Sequence, residues 1–272
     1  MKIFARNLTA LMPAGITLAP ELIETFDWLE DQGWLGVRKG GQPQDYWLSI
    51  YPEDQRNLSG ASHVVFGGTT LAFTSHWSAP DPAVDARIAE IATTSGDGGR
   101  AAIWLDQNGK QQFVQIGHGT IGVITDDPLV LLQYLAMGYP EPGALEGTEI
   151  SPLAYALDYN GLTDVSDVQP EDRCIAPIAF QTFLKDRFGL DLPETARDLG
   201  INDFSEYHDT GTTDPFALWL MSVTPEPSEA DLTYELELMR TVESLDLRDD
   251  DSSDQILQKI GSLFTSKDKD TK

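Results

Sequence analysis

His118 lies between Gly117 and Gly119, a few residues ahead of Asp126 and Asp127, and is the histidine with an acidic neighbourhood in sequence. An imidazole beside carboxylates is the arrangement of a general base. No nucleophile is supplied beside it, and neither Gly-x-Ser-x-Gly nor His-Glu-x-x-His occurs in the chain. The histidines His63, His76, His118 and His208 fall at no metal-ligand spacing, and the single cysteine, Cys174, cannot complete a zinc site. Asp164 and Asp167, with Glu171 and Asp172, have the charge for Ca²⁺ but lack the EF-hand spacing. Carboxylates are so numerous, 44 in all, that some pair must fall at glycosidase distance by chance. The sequence therefore predicts no enzyme, cofactor or metal; a hydrolase built on carboxylates and His118 is the alternative.

The densest glycine cluster, Ser95-Gly96-Asp97-Gly98-Gly99-Arg100, exposes main-chain N–H groups as a phosphate cradle would. A P-loop would continue into Lys-Ser/Thr and a helix, whereas this segment leads into the apolar run 101–105. A tight turn between strands, with Asp97 bonding its own main chain, is the better account.

The elements around these residues change type along the chain. Pro20 at a first helical turn, with Leu22, Ile23, Phe26 and Leu29 on one face, predicts a helix closed by Gly33. Residues 34–38, 46–51, 63–66, 71–75 and 87–93 are short, aromatic and β-branched, and separated by turn residues, which predicts strands. Leu48, Ile50, Leu71 and Phe73 alternate as on a sheet with one buried face. Residues 100–105 and 111–116 flank Asn108-Gly109, a hairpin signal, and 120–124 form one more strand. Asp126 or Asp127, then Pro128, start a helix that Gly138 stops. After Pro140 an acidic connection follows, with Pro, Gly and Asn breaks; further helices are expected over 177–188, 193–199 and 215–222, the last capped by Asp214.

Pro225 and Pro227 mark a boundary, giving an α+β domain over 1–224 and a helical extension over 225–272 with a frayed tail. In that extension 228–245 reads as one helix and Ile256, Leu257, Ile260, Leu263 and Phe264 as the apolar face of another. Helices segregated from strands predict an α+β class with a curved antiparallel or mixed sheet carrying packed helices. Five of the six tryptophans fall in the first 104 residues; they suit a sheet core or half-buried sheet face better than a ligand groove.

Net charge is −26, and residues 111–172 contain no Lys or Arg against ten acids. Such acids commonly serve only to keep a protein soluble; a surface of this sign also repels nucleic-acid phosphates and anionic lipid and would attract a basic protein. Asp126, Asp127, Glu141, Glu146, Glu149 and Asp158 are the acids expected to meet such a partner. No segment is apolar enough for a membrane span, and Pro13 and Gly15 interrupt the mildly apolar stretch after Lys2 and Arg6, so the N-terminus reads as mature protein. One cysteine, read as a buried structural thiol, fits a reducing, cytoplasmic setting.

Several motifs together resemble one family. Gly96-Asp97-Gly98-Gly99-Arg100-Ala101-Ala102-Ile103-Trp104-Leu105-Asp106, with Gly109-Lys110-Gln111 and Val114-Gln115-Ile116-Gly117, is similar to the central motif of bacterial members of the SUKH superfamily, the family of the yeast cell-wall assembly regulator. Asp126-Asp127-Pro128, Leu131-Leu132 and Ala136-Met137-Gly138-Tyr139 resemble the helix that follows it there. Residues 183–190, Pro193, and Asp214-Pro215-Phe216 with Trp219 resemble the family's C-terminal portion; residues 28–34 are compatible. The resemblance spans most of 17–222. It implies an α+β fold with a curved sheet and, for many bacterial members, an immunity protein that neutralises a toxin of a contact-dependent or polymorphic system. It carries over no catalytic residues. An intracellular scaffold or regulator is the alternative that the yeast relative suggests.

Overall fold

The computed structural model describes residues 1–37, 46–69, 71–77, 79–117, 119–159, 161–162, 174–207 and 209–225. Met1–Val223 forms one compact unit, and Thr224–Lys272 divides off as a second. The helices expected beyond residue 227 lie outside the described residues.

Eight strands pair strictly in chain order, each antiparallel to the next: β1 (Leu35–Val37), β2 (Tyr46–Ser49), β3 (Val65–Gly67), β4 (Ile88–Thr93), β5 (Arg100–Leu105), β6 (Gln111–Ile116), β7 (Thr120–Thr125) and β8 (Ser205–Glu206). With the helices that pack on the sheet this is an α+β fold, and the sheet is antiparallel throughout. Irregular register between Glu90 and Ala92, and between Phe113 and Val114, bends the central strands.

Helices α1 (Ile3–Leu11), α2 (Pro20–Asp31), α4 (Pro128–Ala136) and α6 (Ile178–Phe188) cover the first face. Phe26 of α2 is the joint: its ring stands 5.0 Å from Phe4 of α1 and 4.9 Å from Phe66 of β3. Leu22, Phe26 and Leu29, one face of α2, are all fully buried. The mildly apolar stretch after Lys2 and Arg6 is not one element: its first residues close α1, whose Phe4, Ala5 and Leu8 lie in the core, and residues 12–19 are non-helical.

On β5, Ala101 and Ile103 belong to that core, while Ala102 and Trp104 belong to a separate cluster. Side chains alternate across a strand, so the second cluster lies on the opposite face. It is roofed by α7 (Pro215–Val223), through Phe216, Trp219 and Leu220, and by the single turn α3 (Pro82–Asp85), through Val84. The sheet is therefore buried on both faces across β4–β7.

Three local expectations fail. Residues 71–75 are not a strand: Phe73–His76 is a 3₁₀ turn and Leu71 is 68% exposed. Thr74 sets this, since its N–H and hydroxyl donate to the Asp85 carboxylate (2.8 and 3.1 Å) and its oxygen accepts Asp81 N–H (2.8 Å). Residues 193–199 give only a 3₁₀ turn at Arg197–Leu199 before Gly200 (φ 79°). There the Asp198 carboxylate accepts Thr195 N–H and hydroxyl, and Arg197 N–H turns away to Thr148 O, local bonds that compete with a helix. The acidic connection after Pro140, expected to be irregular, contains α5 (Pro152–Tyr159).

Candidate partner-binding surface

The Gly-rich turn between β4 and β5 is held by its own side chains. Ser95 Oγ accepts Gly99 N–H (2.7 Å) and donates to Asp97, while Gly98 takes φ 104°, a conformation that favours glycine. Its N–H groups are not gathered for an anion: Gly96 N–H donates to Glu141 Oε1 (3.0 Å), and Thr94 N–H to Gly99 O (2.8 Å). The same carboxylate lies 3.5 Å from His63 Nδ1. Glu141 therefore ties the loop after α4 to two sheet ends.

Behind it lies a buried polar chain. The Tyr134 hydroxyl lies 3.0 Å from both the Gln115 side-chain oxygen and Pro142 O; Gln115 Nε2 donates to Thr120 Oγ1 (3.1 Å), whose hydroxyl donates to Gly143 O (3.2 Å). Burial pushes the Tyr134 phenol well above its ordinary value, so it stays a neutral donor. Main chains approach so closely here that only glycine fits: a Cβ on Gly117 would strike Gly143 O.

The six acids expected at a partner's surface fall into three conditions. Asp127 caps α4 by accepting Leu129 N–H (2.8 Å), and Glu141, only 12% exposed, is spent on the turn. Asp126 pairs with Lys110, whose hydrogen bond holds its carboxyl below the ordinary range; Glu149 stands 3.9 Å from Arg197. Glu146 and Asp158 are exposed. Asp203, which charge counting over 111–172 could not include, accepts both Thr148 N–H and its hydroxyl at 2.8 Å and pairs with Arg197 (2.6 Å). The Thr148 N–H bond is the largest influence holding its carboxyl low.

The residues that carry the family resemblance build this framework. Gly109 (φ 79°) and the Asp106 carboxylate, which accepts Asn108 and Lys110 N–H at 2.8 Å each, close the β5–β6 hairpin. Gly138 (φ 90°) follows α4, and the Tyr139 hydroxyl donates to Ile150 O (2.7 Å) while accepting Ala196 N–H (3.1 Å). Pro215 opens α7 in sequence behind the capping carboxylate of Asp214. Trp104 packs 5.4 Å from both Phe216 and Trp219, so the central and C-terminal motifs, distant in sequence, meet on the second face.

Cys174, half-buried where the sequence predicts a buried thiol, donates its thiol to Gly138 O (3.0 Å), and burial pushes its pKa up to about 11. His118, His208 and the Asp164–Asp172 group lie outside the described residues, as therefore does the alternative base. Among the described residues no three His, Cys, Asp or Glu side chains cluster as metal ligands, and no helix is long and apolar enough to cross a membrane. The sequence favours a sheet core or half-buried sheet face over a ligand groove for the early tryptophans; Trp47 stands on the sheet and also lines a groove, and no motif announces its partner there, Arg56. No family model, curated protein or solved structure matches this chain.

Proposed function

We propose that this chain is a non-enzymatic protein-binding module of the reducing cytoplasm, an immunity protein of the SUKH type that neutralises a basic toxin. The observation that carries this reading is how the cations are used. Arg100 pairs with Glu90, Lys110 with Asp126, Lys185 with Asp191, Arg187 with Glu24 and Arg197 with Asp203, each within the chain. Among the described residues these cations are thus already matched by acids of the same chain, while the chain as a whole carries a net −26. Such a field raises association rates with a basic protein and rejects acidic ones.

Co-expression with the product of the adjacent gene tests it. The expected result is that a growth-arresting neighbour becomes tolerated, that the two proteins co-purify, and that their association slows as salt is raised. If no neighbour is toxic and no protein co-purifies, the reading fails.

A further inference from the structure

The cluster on the second sheet face draws on β4–β7, and at β2 and β3 that face carries Trp47 and Val65, which belong to neither buried cluster. Trp47 stands opposite Gly36 on β1 and Gly67 on β3. Its indole lies across Gly36, where an added Cβ would collide with the ring; at Gly67 an added Cβ would meet nothing nearer than 3.7 Å. One glycine thus seats the ring and the other leaves open floor beside it. Arg56 crosses above, its guanidinium carbon 4.8 Å from the ring centroid. The result is a groove of about 400 Å³ walled by Ser49, Ser62, Val65 and Thr93.

The hydrogen bonds already made in this groove select what it can hold. Ser49 Oγ accepts Tyr51 N–H (2.9 Å) and Ser62 Oγ accepts Val64 N–H (3.4 Å), so each hydroxyl keeps its proton to give. Tyr51 has nothing left to offer: it donates to Ile175 O (2.6 Å), accepts Ser62 N–H (3.0 Å), and burial raises its phenol pKa. Arg56 uses one Nη2 donor on Glu53 (3.2 Å), a carboxylate whose side chain is 87% exposed. The lining thus combines donors from Arg56, Ser49 and Ser62 with the aromatic carbon of Trp47 and the aliphatic carbon of Val65.

We propose that this groove binds a carboxylate carried on an aromatic or aliphatic body, such as a small organic acid or the C-terminus of a polypeptide. The apolar body lies against Val65 and the side of Trp47 left open at Gly67, and the carboxylate takes Arg56 in place of Glu53. That exchange costs little, because an exposed i,i+3 ion pair contributes little. Glu53 is then a built-in competitor, which gives the proposal a signature that a structural role for Arg56 does not share.

The test uses the full chain with isotope-labelled tryptophan, the Trp47 indole N–H signal being identified by its loss in Trp47→Phe. The probes are phenylpropionate, a tripeptide ending in a free phenylalanine carboxylate, and the amide of each. The expected result is a saturable shift of the Trp47 signal with an acid, and binding weaker by about tenfold or more with its amide, the loss of a charged bidentate contact. Glu53→Gln tightens the acid and Arg56→Gln weakens it by about tenfold or more, with the other indole signals unmoved to show that both variants fold. Whichever acid binds tighter, terminus or free acid, assigns the source. No saturable shift up to about 10 mM, the weak limit of useful affinity, overturns the proposal. So do amides that bind as well as acids, or a Glu53→Gln variant that binds no better.

Discussion

A methyl group added at Gly143 would run into the Thr94 hydroxyl and come within 3.1 Å of the Gly99 main chain. The loop carrying Gly143 also accepts the Thr120 hydroxyl and donates Gly143 N–H to Thr94 O, so it cannot retreat without breaking the polar chain behind it. Gly143→Ala is expected to cost about 1–3 kcal/mol in urea unfolding, the usual range for overpacking. Gly147→Ala, where a Cβ meets nothing within 4 Å, should stay within about 0.5 kcal/mol. Equal costs at the two sites would show that the approach of the loops is not what holds them. Cys174 makes a second residue-scale prediction. With its pKa raised from 9.0 to about 11, its thiolate fraction at neutral pH is about 100-fold below that of an unperturbed thiol. Because a more basic thiolate is also the better nucleophile, reaction with a chromogenic disulfide should be slower by about tenfold in the native protein, and should recover in denaturant. A fast native reaction would remove burial as the controlling influence.

Between elements, Asp214 has two duties that residue type alone does not reveal. One carboxylate oxygen accepts Phe216 and Ala217 N–H (2.9 and 2.8 Å), capping α7; the other accepts Val123 N–H (2.8 Å) from β7. It thereby fixes the helix that roofs Trp104 to the strand beneath it. Asp214→Ala should cost about 2–3 kcal/mol, roughly 1 for the cap and the rest for an orphaned strand N–H. Asp214→Asn should fall between, because an amide keeps the cap but turns a donor toward Val123 N–H; an Asn variant as stable as the native chain would refute the strand contact. The cap was legible in sequence because Asp-Pro before an apolar run is a local signal. The strand bond was not, since it joins residues far apart in the chain. The same division explains the rest of the fold. β4 to β7 and α2, α4 and α7 carry local pattern and stood out; β8 is only Ser205–Glu206, defined by the neighbour it pairs with. The run 71–75 has strand composition, yet Thr74 bonding to Asp85 made it a turn. At the candidate surface, sequence located the acids and offered Asp126 or Asp127 as a cap, whereas only the fold showed that the cap is Asp127, that Glu141 is spent on the Gly-rich turn and that Asp203 joins Arg197.

At the scale of the whole molecule, an excess of 44 acids over 18 bases sets like charges against one another in the folded chain. Repulsion spread over a surface is long-ranged and falls with salt, whereas the individual pairs are short-ranged and mostly exposed, hence individually weak. At pH 7 the repulsion should dominate. Raising sodium chloride from about 10 mM to about 500 mM shortens the screening length from roughly 30 Å to under 10 Å and should raise Tm. Near pH 4.2, the isoelectric point, net repulsion is gone. The attractive pairs persist there, because hydrogen bonds from Lys110 and Thr148 hold the Asp126 and Asp203 carboxyls below the ordinary 3.8. A depressed carboxylate contributes stability above its unfolded value and loses it as pH falls through the folded one, so at pH 4.2 these contributions are still largely present. Salt then screens attraction alone, and its effect on Tm should vanish or reverse. Calorimetric melts at the two pH values and two salt concentrations decide the matter. A Tm that falls with salt at pH 7 would mean that the internal pairs outweigh the surplus. The surplus would then no longer stand as the feature that recruits a basic partner.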